Sequence, residues 1–281
     1  MNLISGISNS GELSFRCDLS LVTRRSRRNR PGLMSRVMCY KCFWPQSACW
    51  CGSITPMPTR TKFVILMHPD EFKRVKANTG RLTHICLADS ELHIGIGFDQ
   101  HEAVQALIND PQNYPVLLYP GRDAVNLSET QQGDAQLATF NAQLTQRRLL
   151  VFLLDATWRL VRPMLRTSLS LQRLPKIMFS GATPSRYIIK RQPEPGCLST
   201  LEATHELLVA LDRAGLDHYA LPDQLLGLFQ RMQDYQIRRT AENERLGVRR
   251  HAARIDLGAP ILGPRPLPKR RRIFPAGALK A

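Results

Sequence analysis

The fold of this chain is decided by the stretch Leu149-Leu150-Val151-Phe152-Leu153-Leu154-Asp155-Ala156-Thr157-Trp158. Six apolar residues end abruptly in an acid, a small residue, a hydroxyl and an indole, which predicts a buried parallel strand that feeds a loop. Ligands of open α/β sheets bind at the carboxyl ends of such strands. Asp155, Thr157 and Trp158 are therefore candidate site residues. The alternative is structural, with Asp155 capping a helix that begins near Arg159 and Trp158 filling the core.

Other segments of the chain alternate between two apolar patterns. Short apolar runs predict further strands at 62–67, 92–97, 116–119 and 176–179. Longer periodic segments predict helices over 72–87, 102–108, 135–147 and 161–169, with a break around 78–80 and a break or kink near Pro163. Strands that alternate with helices predict an α/β fold whose mostly parallel sheet is flanked by helices.

Two of the predicted strands, 116–119 and 149–154, end in polar, turn-forming loops. The first is closed by Pro120-Gly121-Arg122-Asp123. If the two strands are neighbours, these loops form one crevice at the carboxyl edge of the sheet. His68 and Glu71 follow the strand at 62–67 and could line the same edge. We favour local roles for both, with His68 as a satisfied core or loop histidine and Glu71 as a helix-start carboxylate.

A helix start is readable further along the chain, at Ser199-Thr200-Leu201-Glu202. Ser199 and Glu202 match a capping box, which predicts a helix that runs to about Arg213. The free N–H groups of such a helix start also suit a carboxylate or a phosphate. A last amphipathic helix is predicted over 221–246.

Four of the seven cysteines are clustered, in the pattern Cys39-x-x-Cys42 and Cys49-x-Cys51. In a chain without a recognisable secretion signal, disulfides are not expected to persist, so two close cysteine pairs favour a tetrahedral zinc site. Free thiols are the alternative. The other three cysteines, Cys17, Cys86 and Cys197, are expected to be reduced.

The charge of the chain favours a polyanionic partner. Its 281 residues contain 39 Lys and Arg against 23 Asp and Glu, a formal net charge of +16, which favours nucleic acid over a membrane. No apolar run approaches the roughly 18–20 residues that span a bilayer. The pair Gly95-x-Gly97 lacks the third glycine of a dinucleotide-binding fingerprint, and there is no Walker loop.

These patterns predict the domain organisation. Residues 1–35 form a disordered basic arm, unless Met34 is the true start, and 248–281 form a disordered, basic, Pro-rich tail. Between them lie a zinc-binding cysteine module at 36–60 and an α/β domain at 61–247 that carries the candidate site residues. We expect a cytoplasmic protein, and the sequence carries no signal for an oligomeric state.

Four motifs together resemble the DTW-domain family, a group of tRNA-uridine aminocarboxypropyltransferases related in fold to the knotted SPOUT methyltransferases. The motifs are the paired cysteines, Tyr119-Pro120-Gly121, Asp155-Ala156-Thr157-Trp158 and Ser199-Thr200-Leu201-Glu202-Ala203. The resemblance runs from about Cys39 to Leu246. Ala156 departs from the pattern, because many members carry glycine there, but alanine is small enough for function to survive.

The resemblance implies transfer of the 3-amino-3-carboxypropyl group of S-adenosylmethionine to the imide nitrogen of a uridine in tRNA, with release of 5′-methylthioadenosine. Asp155 would be the general base or a ligand of the co-substrate, and Thr157 and Trp158 would complete the catalytic group. Trp158 could also stack on adenine or face the sulfonium. The remaining residues expected to bind S-adenosylmethionine are Tyr119, Pro120, Gly121, Ser199, Thr200 and Glu202. The basic surface and tails would hold tRNA.

Two other functions remain open at this point. A SPOUT-like RNA methyltransferase would use the same donor and fold, but its by-product would be S-adenosylhomocysteine. A non-catalytic RNA-binding protein with zinc would need only the cysteines and the charge, and would not bind S-adenosylmethionine.

Overall fold

Six strands form the sheet in the described part of this computed structural model, which comprises residues 37–75, 78–128, 135–181, 184–190 and 197–247. They are β1 (Lys62–Met67), β2 (Ser90–Ile94), β3 (Asn113–Leu118), β4 (Val125–Asn126), β5 (Arg148–Asp155) and β6 (Lys176–Met178). The order is β2-β1-β5-β3-β6-β4, and every pairing is parallel. The predicted α/β class is confirmed, whereas a knot stays a prediction. The arm and tail predicted at 1–35 and 248–281 lie outside the described residues, as does Arg36.

Helices connect these strands and cover the sheet. They are α1 (Pro69–Arg74), α2 (Thr79–Cys86), α3 (Glu102–Asn109), α4 (Ala135–Leu144), α5 (Trp158–Arg166), α6 (Leu169–Gln172), α7 (Thr200–Arg213) and α8 (Pro222–Arg245). Among the described residues, none of these helices combines the length and the apolarity needed to cross a bilayer.

Several element boundaries differ from the predicted ones for local reasons. The helix predicted over 72–87 begins earlier, at Pro69. Its predicted break around 78–80 is confirmed, because the Asn78 side chain accepts a hydrogen bond from the Arg81 amide at 2.8 Å and starts α2. The predicted strand at 92–97 lies at 90–94 and ends before Gly95. Helix α5 begins at Trp158, continues through Pro163 without a break and ends at Arg166. A kink at Pro163 stays a prediction.

The two faces of the sheet carry separate hydrophobic cores. Successive side chains of a strand point to opposite faces. In β5, Val151 and Leu153 therefore pack with residues of α2, α7 and α8, whereas Leu150 and Phe152 pack with residues of α3, α5 and α6. The same alternation puts the Asp155 side chain on the face covered by α2 and α7.

The cysteine segment packs onto the first of these cores. The Trp44 ring lies 4.3 Å from that of Trp50 and 5.3 Å from that of Tyr235 in α8, measured between centroids. Met57 is buried and pairs with Leu87 in an isolated bridge. The predicted boundary between a module at 36–60 and a domain at 61–247 stays a prediction, and the two segments share one core.

Candidate active site

The carboxyl end of β5 lies between those of its two neighbouring strands. Asp155 is in register with Met67 of β1, and Phe152 with Leu117 of β3. The backbone N–H of His68 donates to the Asp155 carbonyl at 3.0 Å. The two strands whose loops we expected to share a crevice are therefore neighbours, and the end of β1 joins them.

The Asp155 carboxyl group links the starts of two helices. Only 3% of the residue is exposed. The Asn78 amide, at the start of α2, donates to Oδ2 at 2.9 Å, and the Thr200 hydroxyl, at the start of α7, donates to Oδ1 at 2.6 Å. A Cβ atom added at Gly80 would lie 2.5 Å from Asp155 Cγ. Glycine is therefore required for α2 to approach this carboxyl so closely.

The surroundings of Asp155 act on its protonation in two directions. Burial raises the pKa of the Asp155 carboxyl, while the hydrogen bonds from Thr200 and Asn78 and the charges of Lys190 and Arg81 act to lower it. Burial has the larger effect, because water no longer stabilises the charged form. A carboxylate with a raised pKa is a stronger base, so this group is suited to accept a proton.

A second buried carboxyl group, that of Glu71, faces the same region. Glu71 lies in the first turn of α1 and is 6% exposed. Burial raises its pKa, and the charge of Asp155 adds to the effect. The pKa of Tyr187 is also raised, by burial and then by the charges of Glu71, Glu202 and Asp155. Two carboxyl groups and a phenol thus lie close enough to interact.

Arg81 joins this site to the cysteine segment. Its guanidinium lies 4.5 Å from the ring centroid of Phe43, next to Cys42, and 4.4 Å from that of Phe72. One of its terminal nitrogens donates to the Phe72 carbonyl at 2.5 Å, whereas Nε is buried without a hydrogen-bond partner in the described structure. The side chain is held chiefly by the two aromatic faces.

The four clustered cysteines have the geometry of a metal site. Their sulfur atoms all lie within 4.8 Å of one another, with Cys39 and Cys51 at 3.8 Å and Cys42 and Cys49 at 3.7 Å. Sulfurs bound at about 2.3 Å to a tetrahedral zinc ion would lie about 3.8 Å apart. Backbone amides of Cys42 and Lys41 lower the pKa of the Cys39 thiol to about 6. The cluster could therefore hold one metal ion.

The predicted capping box at the start of α7 is confirmed. Ser199 Oγ accepts from the Glu202 amide at 3.3 Å, and the Glu202 carboxylate accepts from the Ser199 amide at 2.9 Å. That carboxylate also accepts from the Arg186 amide at 2.6 Å and from the Ser185 hydroxyl. Glu202 therefore connects the segment 184–190 to α7 through hydrogen bonds. The roles in co-substrate binding expected of Ser199, Thr200 and Glu202 stay predictions.

Other predicted site residues lie at the same edge but on the opposite face. Tyr119 is partly buried and packs against the second core, as do Ala156 and Leu165. Its amide donates to the Ile177 carbonyl of β6 at 3.1 Å, and Pro120 and Gly121 follow it. Thr157 is exposed and is the N-cap of α5, without a side-chain capping bond. The Trp158 backbone starts α5, and its side chain lies outside what the structure describes.

Sequence patterns did not single out several residues around Asp155. Asn78 and Gly80 lie in the break predicted around 78–80, and no pattern in the sequence singles out Arg81. Asn78 carried a usable signal, because asparagine before a periodic segment is typical of a helix N-cap. His68 caps α1 by accepting from the Asp70 amide at 3.0 Å, as its expected local role requires.

A comparison with protein families now identifies the chain. The model of the DTW domain matches residues 36–237, which contain the cysteine cluster and every side chain around Asp155. The chain belongs to the DTW domain family. The resemblance that we drew from the four motifs is thereby confirmed.

Relatives of this DTW chain come from animals and a plant. A tRNA-uridine aminocarboxypropyltransferase 2 from Drosophila melanogaster is 31% identical over 184 residues, which cover 63% of this chain and 67% of that protein. The protein of the same name from Mus musculus is 28% identical over 247 residues, 84% of this chain and 74% of the relative. A tRNA-uridine aminocarboxypropyltransferase A from Arabidopsis thaliana is 26% identical over 198 residues, covering 64% and 74%. No solved structure matches the chain.

Proposed function

We propose that this DTW protein transfers the 3-amino-3-carboxypropyl group from S-adenosylmethionine to the imide nitrogen of a uridine in tRNA. The names of its relatives support this reaction and make tRNA the expected substrate. The net charge of +16 suits a polyanionic substrate of that kind. A cytoplasmic location stays a prediction.

The reaction is a displacement at the methylene carbon next to the sulfonium. The uridine nitrogen forms a bond to that carbon, the carbon–sulfur bond breaks, and its electron pair neutralises the sulfonium to give 5′-methylthioadenosine. The imide proton must pass to a base. The protein therefore has two tasks, to align the nitrogen with the breaking bond and to accept a proton.

The observation that carries the proposal is the Asp155 carboxyl group at the carboxyl edge of the sheet, inside the motif that names the family. It is 3% exposed, and burial raises its pKa. Each carboxylate oxygen receives one hydrogen bond in the described structure and has a further lone pair for a substrate proton. We assign Asp155 as the proton acceptor, with binding of the donor's ammonium group as the alternative role.

The donor would lie along the same edge. The starts of α7, at Ser199 and Thr200, and of α5, at Thr157, present N–H groups that suit its carboxylate. Tyr119, Pro120 and Gly121 would line the adenosine, and Trp158 would stack on adenine or face the sulfonium. Glu202 would act by shaping this edge, since its carboxylate already receives hydrogen bonds from the segment 184–190.

The cysteine cluster would hold one zinc ion in a structural role. The sulfur atoms of Cys39 and Cys51 lie 3.8 Å apart and those of Cys42 and Cys49 lie 3.7 Å apart. Both distances match those expected for thiolates around one zinc ion. All four ligand positions would be filled by protein, which is typical of a structural site rather than a catalytic one. The metal would therefore stabilise the segment that carries Phe43.

The test is a reconstituted reaction with purified protein, unmodified tRNA and S-adenosylmethionine, analysed by nucleoside mass spectrometry. We expect aminocarboxypropyluridine and 5′-methylthioadenosine in equal amounts. Methylated nucleosides with S-adenosylhomocysteine would instead identify a methyltransferase. No binding of S-adenosylmethionine by calorimetry would leave only an RNA-binding function, and either result would overturn the proposal.

A further inference from the structure

Helix α5 carries a row of exposed arginines. Arg159, Arg162 and Arg166 are all exposed, and their spacing of three and four residues puts them on one face of the helix. Val161 and Met164, on the other side, are buried against the sheet. We call the three arginines the α5 stripe.

The α5 stripe differs from the charged surfaces of the neighbouring helices. Helix α5 contains three arginines and no acidic residue. Helix α8 mixes its arginines with Asp223, Asp234, Glu242 and Glu244, and α7 has three acidic residues beside Arg213. None of the ion pairs between described residues involves the stripe. Its positive charge is therefore not neutralised by the described part of the protein.

Local energetics do not explain this arrangement. Like charges three or four residues apart destabilise a helix. Arg159 also lies in the first turn of α5, where the helix dipole disfavours a cation. Departures from such local rules are expected at functional positions. An anionic ligand on this face would reverse both penalties.

The position of the stripe connects it to the candidate active site. Helix α5 starts three residues after Asp155, so Arg159 lies at the rim of the carboxyl edge. At a rise of about 1.5 Å per residue, Arg166 is about 10 Å further along the helix. A nucleic-acid strand that follows the stripe would therefore reach the edge where the reaction is proposed.

We propose that the α5 stripe binds the phosphate backbone of the substrate tRNA and guides the target uridine into the site. This inference rests on the proposed function for the identity of the RNA. Guanidinium groups bind phosphate oxygens through paired hydrogen bonds, which suits arginine better than lysine for this task. The contacts position the strand, and they carry no sequence information.

The test compares two triple variants of the full-length chain. R159Q/R162Q/R166Q removes the stripe, and R213Q/R238Q/R245Q removes the same charge from exposed positions on α7 and α8. Binding of unfractionated tRNA is measured by filter retention over a range of salt concentrations. In the stripe variant, the slope of log affinity against log salt concentration should become shallower by about 2–3, and the affinity at 0.1 M salt should fall roughly 10²-fold.

Further measurements separate this inference from the proposed reaction. The stripe variant should keep its melting temperature and its affinity for S-adenosylmethionine, and should keep its turnover at saturating tRNA while KM rises. Equal weakening by both triple variants, or weakening by neither, would overturn the inference. If only the stripe substitutions weaken tRNA binding, but the wild-type protein forms no aminocarboxypropyluridine, the binding surface would be supported and the proposed function refuted.

Discussion

The cysteine cluster and the Asp155 site each bring titratable side chains close together, but different interactions hold them in place. The four thiols lie within 4.8 Å of one another, and a metal ion could bring them together. The Asp155 carboxyl receives its hydrogen bonds from Asn78 and Thr200 and lies near the charges of Lys190 and Arg81. The first region should therefore depend on an ion from solution, and the second on the packing of helices against the sheet.

Arg81 joins the two regions. Arg81 has its guanidinium between Phe43, beside the cluster, and Phe72, and its charge acts on Asp155. If this contact couples the two regions, a change in either one should alter the stability of the other. The following predictions test this coupling and the difference between the two regions.

Metal removal should have the largest effect. The purified protein should contain about one zinc per chain, and chelation or Cys42→Ser should lower the melting temperature by about 10 °C or more, because structural zinc contributes several kcal/mol to folding. Cys197→Ser, outside the cluster, is the control and should change neither zinc content nor melting temperature. Metal-free protein with an unchanged melting temperature would contradict the structural role.

Gly80→Ala should damage the Asp155 site through packing alone. The new Cβ would lie 2.5 Å from Asp155 Cγ, so α2 must move away at a cost of about 1–3 kcal/mol. Gly227→Ala is the matched control, because nothing lies within 4 Å of its Cβ on α8. That change should stabilise the protein by about 0.5–1 kcal/mol in urea unfolding. Equal effects of the two changes would argue against the close approach.

The pH dependence of stability should report the burial of Asp155. Because its pKa is raised from the ordinary value of 3.8, its contribution is fully present below that value and is lost as pH rises through the raised pKa. Asp155→Asn removes this loss, so its stability relative to the wild type should improve as pH rises. Glu71 titrates in both proteins, and its pKa should be lower in the variant because the charge of Asp155 is absent. Parallel curves in urea unfolding would mean that the pKa is not raised.

The contact between the two regions should have the smallest effect. Phe43→Leu removes one face of the aromatic pair around Arg81 and should cost about 0.5–2 kcal/mol. Tyr40→Leu, at a position that is 93% exposed, should be neutral. In a double-mutant cycle, the changes in the free energy of unfolding caused by Phe43→Leu and Arg81→Met should be strongly non-additive. Additive effects would show that the two regions are energetically independent.

The sequence predicted the local features of both regions better than their long-range contacts. The cysteine spacing and the apolar run 149–154 lie within single segments, and their structures follow from those residues. The hydrogen bond from Asn78 to Asp155 joins positions 77 residues apart. It depends on β5 lying beside β1, and an apolar run does not specify its neighbours.

Very short elements could not be predicted, because they contain too few residues to show a hydrophobic pattern. Strand β4 contains only Val125 and Asn126, which is too short for a hydrophobic pattern, so its pairing with β6 is set by tertiary contacts. Glu202 shows the opposite case. Its capping box was readable, but its hydrogen bonds to the segment 184–190 depend on how that segment crosses α7.

The central claim is that Asp155 accepts the imide proton, and single-turnover transfer by Asp155→Asn tests it most directly. The amide keeps the shape of the side chain but removes the basic carboxylate. With tRNA and S-adenosylmethionine both bound, transfer should be slower by about 10²–10⁴-fold, while the variant should be at least as stable as the wild type and its affinity for S-adenosylmethionine should be unchanged. A well-folded variant that modifies tRNA at the wild-type rate would contradict the claim.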